Sequence, residues 1–155
     1  IIFDSVNHNC TVEQDWFDRA PEGTLFDADV RYVPAEELVW CKLYVQNRER
    51  HDSADINHIW LKYGKSLDWN HLLTRMDQHW HLLLAQMLIF QFTYPHDYRD
   101  ILPKDLFDEL IKRAADQYEL PPCLEKVCLG PLIDQTQYEI DIKEWDYKSY
   151  TIKTV

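Results

Sequence analysis

Glycine is scarce in this chain of 155 residues: Gly23, Gly64 and Gly130 are the only three, and none stands beside another glycine or a serine. Basic residues are also few, 16 Lys and Arg against 27 Asp and Glu, for a formal net charge of -11. Phosphate neutralisation along a polyanion needs clustered Lys and Arg, so nucleic acid is disfavoured as a partner. One small phosphate-binding site stays open, because a few placed cations suffice for it. Cysteine is limited to Cys10, Cys41, Cys123 and Cys128, with no CxxC pair, which removes a zinc knuckle. Cys41 falls on an apolar helical stripe, where a buried reduced thiol is expected, so the chain is assigned to a reducing, cytoplasmic compartment. Long apolar runs are missing too. The longest, Leu82 to Phe92, is interrupted by Gln86 and Gln91 and falls short of the roughly 18 to 20 residues of a membrane span.

What the chain has in quantity is core material, with 46% hydrophobic and 14% aromatic residues, too much for a disordered segment. No repeat or linker divides it, so a single domain over 1–155 is expected, in three parts: 1–33 with strands and loops, 34–120 helical, and a β-containing tail over 121–155. The fold class expected is α+β, chiefly a helical bundle.

The first residues, Ile1 to Phe3, read as a short strand ending at Asp4, and begin without Met. That start favours a sheet that continues upstream. Thr11 to Phe17 suits a short helix capped by Thr11, and Thr24 to Val33 suits two short strands around Asp27-Ala28-Asp29. Pro34 with Glu36 and Glu37 is a good helix entry, since proline fits the first turn and carboxylates complement the positive helix end. A second helix carries Ile56, Ile59, Trp60 and Tyr63 up to Gly64, after a break near His51-Asp52-Ser53. Asp68 opens a third. Trp80 to Phe92 makes a fourth, apolar almost all round and therefore central, with Trp69, Trp80, Phe90 and Phe92 packed inside. Pro103 begins a fifth that ends before Pro121-Pro122. Gln137 to Lys143 alternates polar and apolar residues, as a half-buried C-terminal strand does.

The stretch VPAEELVWCKLYVQNRERHDSADINHIW, Val33 to Trp60, carries an ordered set of charges. Lys42 and Arg48 lie six apart, about 120 degrees around a straight helix, so they need not share a face. A bend or helix end near Asn47 would gather Lys42, Arg48, Asp52 and Asp55 around one cleft, cations for phosphate and carboxylates for a metal or an attacking hydroxyl. The competing expectation is a solvated face with ion pairs of a few tenths of a kcal/mol. Spacing alone favours the latter.

The order of Glu36, Glu37, Lys42, Arg48, Asp52 and Asp55 resembles the segment downstream of the catalytic sheet in nucleotidyltransferase-like proteins of the minimal, DNA-polymerase-beta-like superfamily, including antitoxin-partnered and abortive-infection types. The resemblance runs from about Val6 through Trp16-Phe17 and Gly23-Thr24-Leu25-Phe26 to Trp69, with further similarity at Cys128 to Ile133 and Tyr138 to Trp145. It implies transfer of a nucleoside monophosphate from a magnesium nucleotide to a hydroxyl. Lys42 and Arg48 would contact phosphate, Asp52 or Asp55 would orient or deprotonate the acceptor, and Asp4 would stand at or near a third carboxylate. The family's Gly-Gly or Gly-Ser signature, followed by Asp-x-Asp, is absent. Asp27-Ala28-Asp29 has the letters without the glycines, and reads as a turn. The resemblance therefore implies magnesium only if an upstream catalytic segment exists, names no metal ligand within the chain, and implies an inactive chain as it stands. The alternative is a noncatalytic module that binds a protein partner. His79 and His81, two apart, point to different helix faces and form no metal pair.

Overall fold

The computed structural model describes residues 9–149, so the strand expected over 1–3, and Asp4 with it, lie outside the described residues. The fold is α+β and dominated by helices. In chain order the elements are α1 (Gln14–Asp18), β1 (Glu22–Leu25), β2 (Ala28–Arg31), α2 (Ala35–Leu43), α3 (Ser53–Tyr63), α4 (Trp69–Met76) and α5 (Trp80–Thr93). They continue with α6 (Tyr98–Ile101), α7 (Lys104–Asp116), β3 (Val127–Cys128), α8 (Glu139–Lys143) and β4 (Lys148–Ser149).

β1 and β2 pair antiparallel with Leu25 opposite Ala28, closing a two-residue turn at Phe26 and Asp27. Both turn residues have positive φ, 49° and 62°, the geometry whose twist matches a hairpin. Asp27-Ala28-Asp29 is thus a turn and the start of an exposed strand. β3 and β4 form a separate two-stranded parallel sheet.

Helices begin where local chemistry satisfies their first N–H groups or complements their positive ends. Pro34 precedes α2 and Pro103 precedes α7, and at α4 the Asp68 carboxylate accepts the backbone N–H of His71 at 2.9 Å. Asp68→Ala is expected to lower unfolding free energy by about 1 kcal/mol, the usual worth of such a cap, read by urea denaturation. α1 begins at Gln14, later than its proposed Thr11 cap, after Glu13.

One apolar core runs from Cys10 to Leu110. At its centre Trp60, inaccessible to solvent, packs against Trp69 and Phe90 with ring centroids at 5.1 and 5.6 Å. α2 lies against α3, α4 and α5, and α5 against α7. Gln86, the polar residue inside α5, is satisfied by donating to Asn57 Oδ1 at 2.7 Å.

Two expectations are corrected. α5 is not buried all round: Leu88 and Ile89 are exposed, and Phe92 is 88% exposed instead of packed. The alternating segment over 137–143 is no strand. Glu139 to Lys143 within it form the short helix α8, where Glu139 and Lys143 pair across one turn and Ile140 is left exposed; the tail strands among the described residues, β3 and β4, are two residues long and pair with each other.

Candidate functional site

The charged residues after Pro34 converge because the chain reverses, and not because a helix continues. α2 stops at Leu43, and the N–H groups of Tyr44 and Val45 close its last turn on the carbonyls of Cys41 and Lys42. The return is held by the Asp52 N–H donating to the Val45 carbonyl (3.1 Å) and by an antiparallel bridge between Gln46 and His51. Within the loop the Arg50 N–H donates to Asn47 Oδ1 at 2.7 Å. Asp52 therefore arrives beside Lys42, ten residues earlier in the chain.

Lys42 Nζ donates to Asp52 Oδ2 at 2.8 Å and to Asp55 Oδ2 at 2.7 Å. Arg50 grips the same Asp52 carboxylate with Nε and Nη2, both at 2.9 Å. Burial separates the members: Asp52 is 5% exposed, the Lys42 side chain 15%, and the Asp55 side chain 58%. A solvated helix face would leave all of them in water. Asp52 stands at the start of α3 but caps no N–H with its carboxylate, which is turned wholly to the two cations.

Burial alone would push the Asp52 carboxyl up, but the hydrogen bonds from Arg50 and Lys42, and their charges, hold it below the ordinary carboxylate range. Lys42 mirrors this: burial works to lower its ammonium, and the bonds to Asp52 and Asp55 outweigh it and raise it. The pair is thus ionised on both sides across the neutral range.

The network forms one wall of a cleft of about 860 Å³. Lys42, Arg48, Arg50 and Asp52 line it, with Pro131 to Gln137 opposite. Asp134 fastens the two walls together, accepting the Arg48 backbone N–H at 3.3 Å and that of Gln137 at 3.0 Å. Among the described residues the Arg48 guanidinium makes no ion pair and stays exposed. The structure therefore brings Lys42, Arg48 and Asp52 to one cleft, and leaves Asp55 on the outer side of Lys42, beyond the lining.

Magnesium does not fit this wall. Both oxygens of Asp52 are taken by cations, and among the described residues no three ligand atoms of His, Cys, Asp or Glu gather at the cleft within reach of one ion. His79 and His81 diverge as their spacing requires, His79 Nδ1 to the Tyr44 hydroxyl (2.7 Å) and His81 Nε2 to Gln117 Oε1 (2.8 Å). Cys41 is buried.

Sequence reasoning placed Arg50 only on a solvated face and missed its hold on Asp52, as well as Asp134 and a second polar network. Glu36 and Glu37, read as helix-dipole partners, are buried and turn away from the cleft toward α4. Glu36 Oε1 accepts the Asp68 N–H at 2.8 Å. Glu37 Oε1 meets His71 Nε2 at 2.7 Å and accepts from Arg75 Nε at 3.1 Å. His71 and Arg75, four apart on α4, share one helix face, which is the one sign of this network the sequence carries.

Comparison with family models, with curated proteins and with solved structures yields no significant match to this chain.

Proposed function

We propose that the chain is a nucleotidyltransferase-like protein whose cleft binds the phosphates of a nucleotide, and that it is not a self-sufficient transferase. One observation carries this reading: Lys42, Asp52 and Asp55, ordered in the sequence as the resemblance requires, meet at a partly buried network on the rim of a cleft large enough for a nucleotide. Arg48 supplies the cation still available to an anion. Lys42, already paired twice, contributes field more than a free contact.

The transfer implied is attack of an acceptor hydroxyl oxygen on the α-phosphorus of a nucleoside triphosphate, with pyrophosphate leaving and the hydroxyl proton passing to a carboxylate. Asp52 is a poor proton acceptor, because its pKa is depressed and both its oxygens already accept. Asp55 lies beyond the cleft lining, so neither carboxylate is placed to take the proton within the cleft, which agrees with a chain that is not self-sufficient; Asp52 positions Lys42.

Because the best-placed cations are paired internally, ATP is expected to bind only weakly, with a dissociation constant above roughly 1 mM, and no α-label should transfer to protein. Amide shifts in a nitrogen-15 NMR titration should centre on residues 47–52 and 131–137, and Arg48→Ala should abolish them. Shifts that are absent or lie outside the cleft, transfer of α-label to protein, or an unaffected Arg48→Ala variant would each sink the reading. A specific observation also favours a noncatalytic partner-binding role: α5 exposes Leu88, Ile89 and Phe92 on one stretch.

A further inference from the structure

Away from the cleft, three helices each direct one ligand-type side chain to a common point. Asp15 comes from the first turn of α1, Glu37 from the first turn of α2 and His71 from the first turn of α4. Their ligand atoms all lie within 4.8 Å of one another. His71 Nε2 is 2.7 Å from Glu37 Oε1 and 3.8 Å from Asp15 Oδ2. Neighbouring ligands on a tetrahedral zinc-sized ion, with bonds of about 2.0 to 2.2 Å, sit roughly 3.3 Å apart, so these separations bracket what a shared ion needs.

A second observation points to a ligand. Glu37 is inaccessible to solvent, and its Oε2 is buried with no hydrogen-bond partner among the described residues. A buried carboxylate oxygen without a donor leaves an acceptor that a cation would complement. The charge balance agrees. Arg75 donates to Glu13, Asp15 and Glu37 at 2.8, 3.3 and 3.1 Å, and one guanidinium against three carboxylates leaves two negative charges uncompensated when the imidazole is neutral.

We propose that Asp15, Glu37 and His71 bind one divalent transition-metal ion of the zinc class, with Arg75 holding the two carboxylates in place from behind. The ion would replace the proton shared between His71 and Glu37. The mixed nitrogen and oxygen donor set favours zinc or manganese over magnesium or calcium, which prefer oxygen alone. A pocket of about 320 Å³ lined by Glu13, Asp15, Trp40, His71, Thr74 and Arg75 opens on the Asp15 and His71 side of the cluster, with Glu37 behind it, and has room for a water as fourth ligand. This site does not depend on the nucleotide reading of the cleft.

Zinc chloride titrated calorimetrically into the full chain, stripped with chelator beforehand, tests it. One equivalent should bind with roughly micromolar affinity, and Asp15→Asn and His71→Gln should each weaken binding at least about tenfold. Both variants keep polar side chains of similar shape, and circular dichroism confirms that they fold. His81→Gln, on the far face of α5, should leave affinity unchanged. Cobalt bound to the wild type should show visible absorption bands that His71→Gln alters. Absence of binding tighter than millimolar, or undiminished binding in either ligand variant, overturns the proposal and leaves the cluster as an ion-pair network organised by Arg75.

Discussion

Asp52→Ala should lower unfolding free energy by about 3 kcal/mol at neutral pH, while Asp55→Ala, which removes the other carboxylate on the same lysine, should cost less than about 0.5 kcal/mol. The contrast follows from burial. Asp52 is 5% exposed, so its loss leaves Lys42, itself only 15% exposed at the side chain, with a desolvated ammonium and one watery partner. The Arg50 side chain is 67% exposed, so its release costs little by comparison. Urea denaturation of the two variants reads the difference directly, and equal effects would mean that Asp52 is no more than a surface carboxylate. The same network sets a pH window. A depressed carboxyl stabilises above its unfolded pKa, near 4, and that stability is lost as pH falls through the lower folded value. The raised Lys42 stabilises below its unfolded pKa, near 10.4, and the contribution disappears as pH rises through the higher folded value. Between those limits the network is intact.

Glu37→Ala is the second large effect expected, about 3 to 4 kcal/mol, with Glu37→Gln costing about half as much. Alanine opens a void in a site closed to solvent and removes the acceptor shared by His71 and Arg75. Part of the cost is offset, because the unpartnered Oε2 goes as well. Arg75 retains Glu13 and Asp15 and lies 5.2 Å from the Trp40 ring, so the guanidinium is not abandoned. Glutamine keeps the shape and one acceptor oxygen but not the charge. Thermal unfolding of the two variants should rank them in that order, and an alanine variant as stable as wild type would show that the buried carboxylate contributes nothing net.

How much of this the sequence disclosed differs by length scale. Helix starts were legible because their causes are local: a proline at Pro34 and Pro103, a capping carboxylate at Asp68. The hairpin around Asp27 was legible for the same reason. The tail misled because the alternation over 137–143 also fits a helix at Glu139–Lys143, and among the described residues the tail has no strand longer than two residues for it to pair with. Phe92 misled in the opposite way, being apolar on a helix whose outer face nothing among the described residues covers.

For the cleft, the residue types were readable and their geometry was not. Helical periodicity set Lys42 and Arg48 on different faces, and the reversal over 44–52 that brings Asp52 back depends on backbone pairs with no side-chain signature. Arg50 was legible only as one charge of a solvated face, although it supplies two of the three bonds on the Asp52 carboxylate. The Glu37 network joins residues 34 and 38 positions apart, and such contacts are visible only once α2 and α4 are packed together.

A double-mutant cycle on Lys42→Met and Asp52→Asn, measured by urea denaturation at neutral pH, isolates the interaction on which the cleft reading rests. A coupling energy of at least about 1.5 kcal/mol is expected for a desolvated pair, and a coupling below about 0.5 kcal/mol, the value of an exposed ion pair, would contradict it.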